Sequence, residues 1–195
     1  MQITRKSGAN GKWRDVGATD AIIGICLVMA VAGFVIPPVQ NALLFYPPLA
    51  LHQPWRLVTS AFLHSGLWHF VFNMVTLYMV GVHLERAMGR GRYLLLYLAS
   101  AVAGNLGVWG WAALTGGWQV AVVGASGAVF GLFGAWLARA GFGSDNFKSI
   151  AVIAAVNLGY GLLNPGISWQ SHMAGFIGGY LVTWFGQKLG KLKHR

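Results

Sequence analysis

Long apolar segments, separated by short polar or basic stretches, constrain this chain more than any other feature of its sequence. Of its 195 residues, 56% are hydrophobic and only 9% are charged, whereas soluble domains carry roughly 25% charged residues. A helix needs about 20 apolar residues to cross the hydrocarbon of a bilayer. Because backbone polar groups in lipid must be satisfied within the segment itself, we expect these segments to be membrane-spanning helices.

Six segments fit this description, bordered by turn-forming or charged residues such as Pro37-Pro38 and Glu85-Arg86. They cover about residues 21–36, 67–84, 93–114, 125–140, 149–163 and 171–185. The sequence therefore predicts an all-α, polytopic membrane protein. Its bundle of six transmembrane helices would occupy residues 21–187, between an N-terminal tail at residues 1–20 and a basic C-terminal tail at residues 188–195.

The basic residues predict the orientation of this bundle. Arginines and lysines before the first segment, after the sixth, and in the loops that follow the second and fourth all fall on one side of a six-span topology, and Arg56 alone falls on the other. By the positive-inside rule, both termini are cytoplasmic. The net charge of +10 could also indicate nucleic-acid binding, but the topological rule and attraction to anionic lipid explain it more simply. We expect an integral protein of the bacterial plasma (inner) membrane and no nucleic-acid partner.

A cleavable signal peptide is the main alternative for the first segment. Ala30-Val31-Ala32 resembles a small-residue cleavage site after a short apolar core. The polar region before it is long for a signal peptide, however. Removing the first segment would also leave five spans and place the basic C-terminus on the wrong side of the membrane.

Four polar side chains are predicted to lie at one depth in the outer part of the membrane. In the six-span topology, the second, fourth and sixth helices start outside, which places His69, Asn73, Ser126 and His172 at a similar level. Polar side chains are costly in hydrocarbon and usually face the bundle interior or a wet cavity. Since the fourth segment is short, we expect a water-filled depression at its outer end.

These residue types together indicate serine hydrolase chemistry. A serine hydroxyl needs an adjacent base, which His172 can supply to Ser126 because desolvation favours the neutral imidazole. His69 and Asn73 lie four residues apart on one helix face and, with the Ser126 backbone N–H, could stabilise an oxyanion. Every acidic residue maps to the cytoplasmic side, which predicts a dyad without a third member. We expect no metal and no cofactor, since His64 and His69 lie five apart without nearby Cys, Asp or Glu.

At these positions the chain resembles the rhomboid family of intramembrane serine proteases. The resemblance rests on elements that occur in the family's order: Trp55-Arg56, the stretch from His64 to Asn73, Gly124-Ala125-Ser126-Gly127, and the run from Ser171 to Gly179. It implies a six-helix fold with Ser126 as nucleophile and His172 as general base. It further implies His69, Asn73 and the Gly124 and Gly127 motif around the oxyanion, Trp55 and Arg56 in a membrane-embedded first loop, and His64 as a structural hydrogen-bonding residue.

Two positions differ from the pattern of the family. Several relatives carry a tyrosine one turn after the serine, where this chain has Phe130, which can stack on the base but cannot donate a hydrogen bond. The residue before the histidine is commonly alanine, whereas this chain has Ser171. The resemblance implies an endopeptidase that cleaves single-pass or polytopic membrane proteins in or near a transmembrane segment, through an acyl-enzyme.

Two other functions compete with the protease. A non-catalytic rhomboid-like binder of membrane proteins, acting in trafficking or quality control, would be expected to lack the serine or the histidine, and both are present. A small-solute transporter should show inverted repeats or interrupted helices, and the sequence contains no such pair.

Overall fold

The fold is formed by helices that follow the predicted apolar segments closely. The computed structural model describes residues 16–140, 148, 151–152, 154–156, 158–159 and 166–193. Within these residues the α-helices are α1 (Ala18–Val35), α2 (Pro37–Leu43), α3 (Arg56–Thr59), α4 (Leu67–Met88), α5 (Arg90–Thr115), α6 (Ser126–Ala140) and α7 (Trp169–Lys193). Short 3-10 turns occupy Pro47–Leu49 and Ser60–Phe62.

Three of these helices are long and apolar enough to cross a membrane by length and composition, namely α1, α4 and α5. The described residues thus confirm an all-α fold with three helices that could span a membrane. The number of crossings and the side of each terminus stay predictions. Helix α6 is shorter, with 15 residues, and α7 has 25 residues. Helix α7 continues through Lys193, so the residues from Lys188 onward that were assigned to a tail are helical to that point. The predicted fifth segment, 149–163, lies largely outside the described residues.

A carboxylate from α4 caps the first turn of α1. Glu85 accepts hydrogen bonds from the backbone N–H groups of Ala18 and Thr19, at 2.7 and 2.8 Å, and from Thr19 Oγ1 at 2.7 Å. The first N–H groups of a helix lack intrahelical partners and carry partial positive charge, so an acidic side chain stabilises this end. Arg90 approaches Glu85 at 3.7 Å. Glu85 therefore acts as a helix cap and makes a longer contact with Arg90.

The segment between α1 and α4 folds around a buried arginine. Arg56 is only 6% exposed, and its guanidinium donates to Gln53 Oε1 at 2.6 Å and to the carbonyls of Asn41 and Leu44 at 2.8 and 2.7 Å. These bonds compensate the cost of burying its charge. The arginine thus holds α2 and α3 together as one ordered loop.

Glycines bring α6 and α7 into backbone contact. A Cβ added at Gly175 or Gly179 would overlap the carbonyl oxygen of Gly127 or Gly131, and a Cβ at Gly134 would overlap the carbonyl of Phe176. Helix α5 packs against the same pair, since a Cβ at Gly104 would lie 2.8 Å from Ser171 Oγ and 3.5 Å from Gly127 Cα. Small residues permit such close approach of membrane helices. These glycines therefore form the three-helix junction that sets the start of α6 beside the start of α7.

Candidate active site

Ser126 is the first residue of α6, the helix that the predicted motif opens. The first intrahelical bond of α6 runs from Val129 N to the carbonyl of Ala125, at 2.9 Å. The backbone N–H groups of Ser126 and Gly127 thus belong to the helix end that lacks intrahelical acceptors and carries partial positive charge. Ser126 is half-buried. This position suits a nucleophile whose intermediate develops negative charge beside it.

Gly124 adopts a conformation that few other residues tolerate. Its φ is +130°, which L side chains rarely adopt. An ideal Cβ at this position would lie 2.7 Å from Cε1 and 2.8 Å from Nε2 of His69, and 3.6 Å from Ser126 Oγ. The Gly124 N–H is donated to the carbonyl of Ser60 at 2.9 Å. The N–H of Gly124 is used by Ser60, and the lack of a Cβ leaves room for the His69 ring beside Ser126. The assignment of Gly124 to the oxyanion-stabilising motif stays a prediction.

His172 lies on the face of α7 that meets the beginning of α6. Its ring is stacked on Phe130, with centroids 4.2 Å apart and planes at 10°. Near this stack, a Cβ at Gly127 would lie 2.6 Å from Oγ of Ser171, the residue before His172. Ser126 directly precedes Gly127, and Phe130 follows Ser126 by about one helical turn, so Ser126 and Phe130 share a face of α6. The Phe130–His172 stack and the Gly127–Ser171 contact therefore place His172 and Ser126 on the same side of the α6–α7 interface. The stacking expected of Phe130 is observed.

The imidazole of His172 is 5% exposed, and its Nδ1 atom is buried without a hydrogen-bond partner among the residues that the structure describes. Nε2 is then the ring nitrogen suited to accept a proton from a serine. Within the described part of the chain, no carboxylate lies against Nδ1, an arrangement compatible with the predicted dyad.

The ring of His69 is held by Ser65, a residue that the sequence analysis did not identify. Ser65 N–H donates to His69 Nδ1 at 3.3 Å, and Ser65 Oγ lies 2.9 Å from the same atom. The opposite edge of the ring, with Nε2, faces Gly124 and the serine. The only signal in the sequence is the spacing of four residues between a serine and a histidine across the start of a helix.

The other predicted residues lie close to His69. Asn73 is buried one turn later on α4, and its Nδ2 donates to the His69 carbonyl at 2.8 Å, which uses one of its two amide hydrogens. His64 is buried with its ring 5.3 Å from the His69 ring and 5.2 Å from Phe70. Its observed contacts are edge-on packing against these two rings, and its structural hydrogen-bonding role stays a prediction.

Hydrogen bonds from the first loop and α5 support the segment that carries Gly124. Asn105 Nδ2 donates to the Leu57 carbonyl at 2.9 Å and to Ser60 Oγ at 2.8 Å, and Ser60 in turn accepts the Gly124 N–H. Trp55 is half exposed, with its indole 3.5 Å from the Ala42 carbonyl. Trp55 and Arg56 therefore belong to the loop that supports the site and touch none of the predicted reacting groups through these bonds.

A match to the Rhomboid domain family covers residues 51–188. YdcA of Bacillus subtilis (strain 168) is 35% identical over 134 residues, 66% of this chain and 65% of that protein. Rhomboid protease GluP of the same organism is 37% identical over 140 residues, 69% of this chain and 26% of that protein.

A plant relative shows the same level of similarity. RHOMBOID-like protein 4 of Arabidopsis thaliana is 38% identical over 137 residues, which make up 67% of this chain and 33% of that protein. The chain thus spans between about a quarter and two thirds of the length of these relatives. Because the family match covers most of the chain and every motif described above, this chain belongs to the rhomboid family.

Proposed function

We propose that this protein is an intramembrane serine endopeptidase that cleaves the transmembrane or juxtamembrane segments of other membrane proteins. The observation that favours this function most is the Phe130–His172 stack beside the Gly127–Ser171 contact, because it brings the only histidine of α7 to the turn that carries Ser126. The family membership and the name of the relative GluP, a rhomboid protease, support the same function.

The first half of the proposed reaction forms an acyl-enzyme. His172 Nε2 takes the proton of Ser126 Oγ while Oγ attacks the scissile carbonyl carbon, which gives a tetrahedral intermediate. The intermediate collapses as the C–N bond breaks, and the imidazolium returns the proton to the departing amine. In the second half, water loses a proton to His172 and attacks the ester, which releases the carboxylate product and regenerates the Ser126 hydroxyl.

The negative charge on the intermediate would be stabilised by donors on two helices. The N–H groups of Ser126 and Gly127 lie at the start of α6, and His69 Nε2 faces the same region across Gly124. The second amide hydrogen of Asn73 adds a donor one turn along α4. Loss of one such donor typically costs about 3–4 kcal/mol of transition-state stabilisation, which a rate assay detects easily.

The proposed topology has six crossings, with both termini in the cytoplasm and the site opening toward the non-cytoplasmic side of a bacterial plasma membrane. The distribution of basic residues supports this orientation. The substrate helix would enter laterally from the lipid and unwind locally, because helical hydrogen bonds shield its scissile carbonyl.

A cleavage assay in proteoliposomes tests this function. Purified protein is reconstituted with a single-pass substrate that contains helix-breaking residues, and with a matched substrate whose transmembrane segment is poly-leucine. We expect faster cleavage of the first substrate, and no cleavage of either by the Ser126→Ala or His172→Ala variants. Binding of substrates without any Ser126-dependent cleavage would instead indicate a non-catalytic binder, and equal rates for the two substrates would argue against the unwinding step.

A further inference from the structure

We infer that Ser65 is a positioning residue that fixes the ring orientation and the tautomer of His69 for oxyanion stabilisation. This inference rests on the proposed function, since it assigns how one element of that site is prepared. It starts from two contacts to a single atom: the Ser65 backbone N–H at 3.3 Å and the Ser65 hydroxyl oxygen at 2.9 Å from His69 Nδ1.

The backbone contact determines the direction of the hydrogen bond. An amide N–H can only donate, so Nδ1 must accept and carries no proton. In a neutral imidazole the proton then resides on Nε2. We therefore assign the Nε2–H tautomer to His69, with the Ser65 hydroxyl as a second donor that shares the Nδ1 lone pair.

This tautomer presents a donor where the reaction needs one. The Nε2 edge of His69 would lie 2.8 Å from an added Gly124 Cβ, and Ser126 Oγ would lie 3.6 Å from the same point. His69 Nε2 and Ser126 Oγ thus both border the space beside Gly124, so a proton on Nε2 supplies a donor close to the proposed nucleophile. The opposite tautomer would point an acceptor lone pair at that oxyanion and an N–H at the Ser65 amide, both of which are unfavourable.

No other described side chain can perform this task. His64 packs edge-on against the His69 ring, but neither of its nitrogens has a hydrogen-bond partner within the described residues. Asn73 bonds to the His69 backbone carbonyl and leaves the ring untouched. Among the described residues, the hydrogen bonds to the His69 ring come from Ser65 alone. Leu63 and His64, the buried residues before Ser65, hold its backbone in place.

Kinetics test whether Ser65 acts through His69. The variants are Ser65→Ala, Ser65→Thr, His69→Ala and the double variant Ser65→Ala/His69→Ala. Thr76→Ala serves as a matched control, because Thr76 is a half-buried residue on α4 whose hydroxyl, among the described residues, bonds to the local Phe72 carbonyl alone. Loss of the Ser65 hydroxyl should lower kcat about two- to tenfold, the range expected for one neutral hydrogen bond, with KM unchanged. Ser65→Thr should restore most of the rate, and Thr76→Ala should match the wild type.

The double variant separates positioning from general structure. If Ser65 acts by orienting His69, then adding Ser65→Ala to His69→Ala should change kcat by less than about 1.5-fold, because the two effects are not additive for coupled residues. The same fractional loss in both backgrounds would overturn the inference, as would an unchanged kcat in Ser65→Ala.

A spectroscopic measurement is independent of activity. Nitrogen-15 NMR of histidine-labelled protein at pH 8, assigned with His69→Ala, reports the protonation of each ring nitrogen. We expect the Nε2–H form of His69 to dominate in the wild type. In Ser65→Ala the backbone N–H still donates to Nδ1, so this form should remain the major one, but the share of the Nδ1–H form should rise because the hydroxyl donor is lost. Thr76→Ala should leave the ratio of the two forms unchanged. An identical tautomer ratio in wild type and Ser65→Ala would contradict the inference. If the wild type shows no Ser126-dependent cleavage, the proposed function fails, and this measurement still decides whether Ser65 controls His69.

Discussion

The rings of Phe130 and His172 lie face to face, with centroids 4.2 Å apart and planes at 10°. Phe130 comes from α6 and His172 from α7, so the stack links the helix of the proposed nucleophile to the helix of the proposed base. The stack forms although the ring of Phe130 carries no hydroxyl.

Changes at Phe130 should follow the loss of this stack. Phe130→Leu keeps an apolar side chain but removes the aromatic face, and we expect cleavage to slow about three- to tenfold, as aromatic pairs contribute about 0.5–1.5 kcal/mol beyond burial. Phe130→Tyr should stay within about threefold of the wild type. The matched control is Phe133→Leu, because Phe133 packs edge-on against Phe130, whereas the ring stacked on His172 is that of Phe130. Equal losses at Phe130 and Phe133 would show that general packing, not the stack, sets the rate.

Gly124→Ala should abolish activity with little loss of folded protein. The substitution forces a Cβ into a backbone with φ of +130° and to within 2.7 Å of the His69 ring. Displacing His69 removes an oxyanion donor, for which we expect a loss of at least about 100-fold in kcat. Gly116→Ala is the control, because Gly116 also has a positive φ, +75°, with nothing within 4 Å of an added Cβ. Activity of Gly124→Ala close to that of Gly116→Ala would contradict the assigned role.

Gly134→Ala should destabilise the bundle without touching the site. An added Cβ would overlap the Phe176 carbonyl and lie 2.9 Å from Tyr180 N, and neither backbone group can move without separating α6 from α7. Overpacking of this kind typically costs about 1–3 kcal/mol. Unfolding in detergent measures the change in stability. Gly110→Ala is the control, because Gly110 lies in a helix and a Cβ added there would have nothing within 4 Å. This substitution should leave the stability unchanged or raise it slightly, since alanine favours helix. An equal loss of stability at Gly134 and Gly110 would refute the close contact between α6 and α7.

Glu85→Gln should weaken the attachment of α1 to α4. The carboxylate accepts three hydrogen bonds from Ala18 and Thr19 at the start of α1. A hydrogen bond to a charged group contributes about 1.5–3 kcal/mol to stability. We expect a loss of about 1–2 kcal/mol in the free energy of unfolding. Arg90→Ala should cost less than about 1 kcal/mol, because its contact is long, at 3.7 Å, and the arginine side chain is 56% exposed. A larger effect at Arg90 would mean that the ion pair, not the helix cap, stabilises this end.

The sequence predicted the membrane helices well because the apolar length and the bordering residues determine them locally. The motif predicted the start of α6 near Ser126, and the resemblance to the rhomboid family implied that Phe130 can stack on the histidine. Contacts between distant segments were not predictable in this way. Glu85 caps a helix that lies 66 and 67 residues earlier, a contact that no pattern near Glu85 in the sequence indicates.

The same limit explains the residues around the site that the sequence did not reveal. Ser65 has no motif of its own, and its bond to His69 depends on the backbone geometry just before α4. Ser60 accepts the Gly124 N–H across the first loop, a contact that requires the folded path of both segments. Helical periodicity contains no information on such loop geometry.

Active-site labelling with a fluorophosphonate probe tests the central claim most directly. The reagent reacts covalently with a serine that an adjacent base activates, and mass spectrometry identifies the modified residue. We predict that the wild type is labelled on Ser126, that Ser126→Ala is not labelled, and that His172→Ala is labelled at a greatly reduced rate. Labelling that is unchanged in Ser126→Ala, or as fast in His172→Ala as in the wild type, would contradict the assignment of Ser126 as a nucleophile activated by His172.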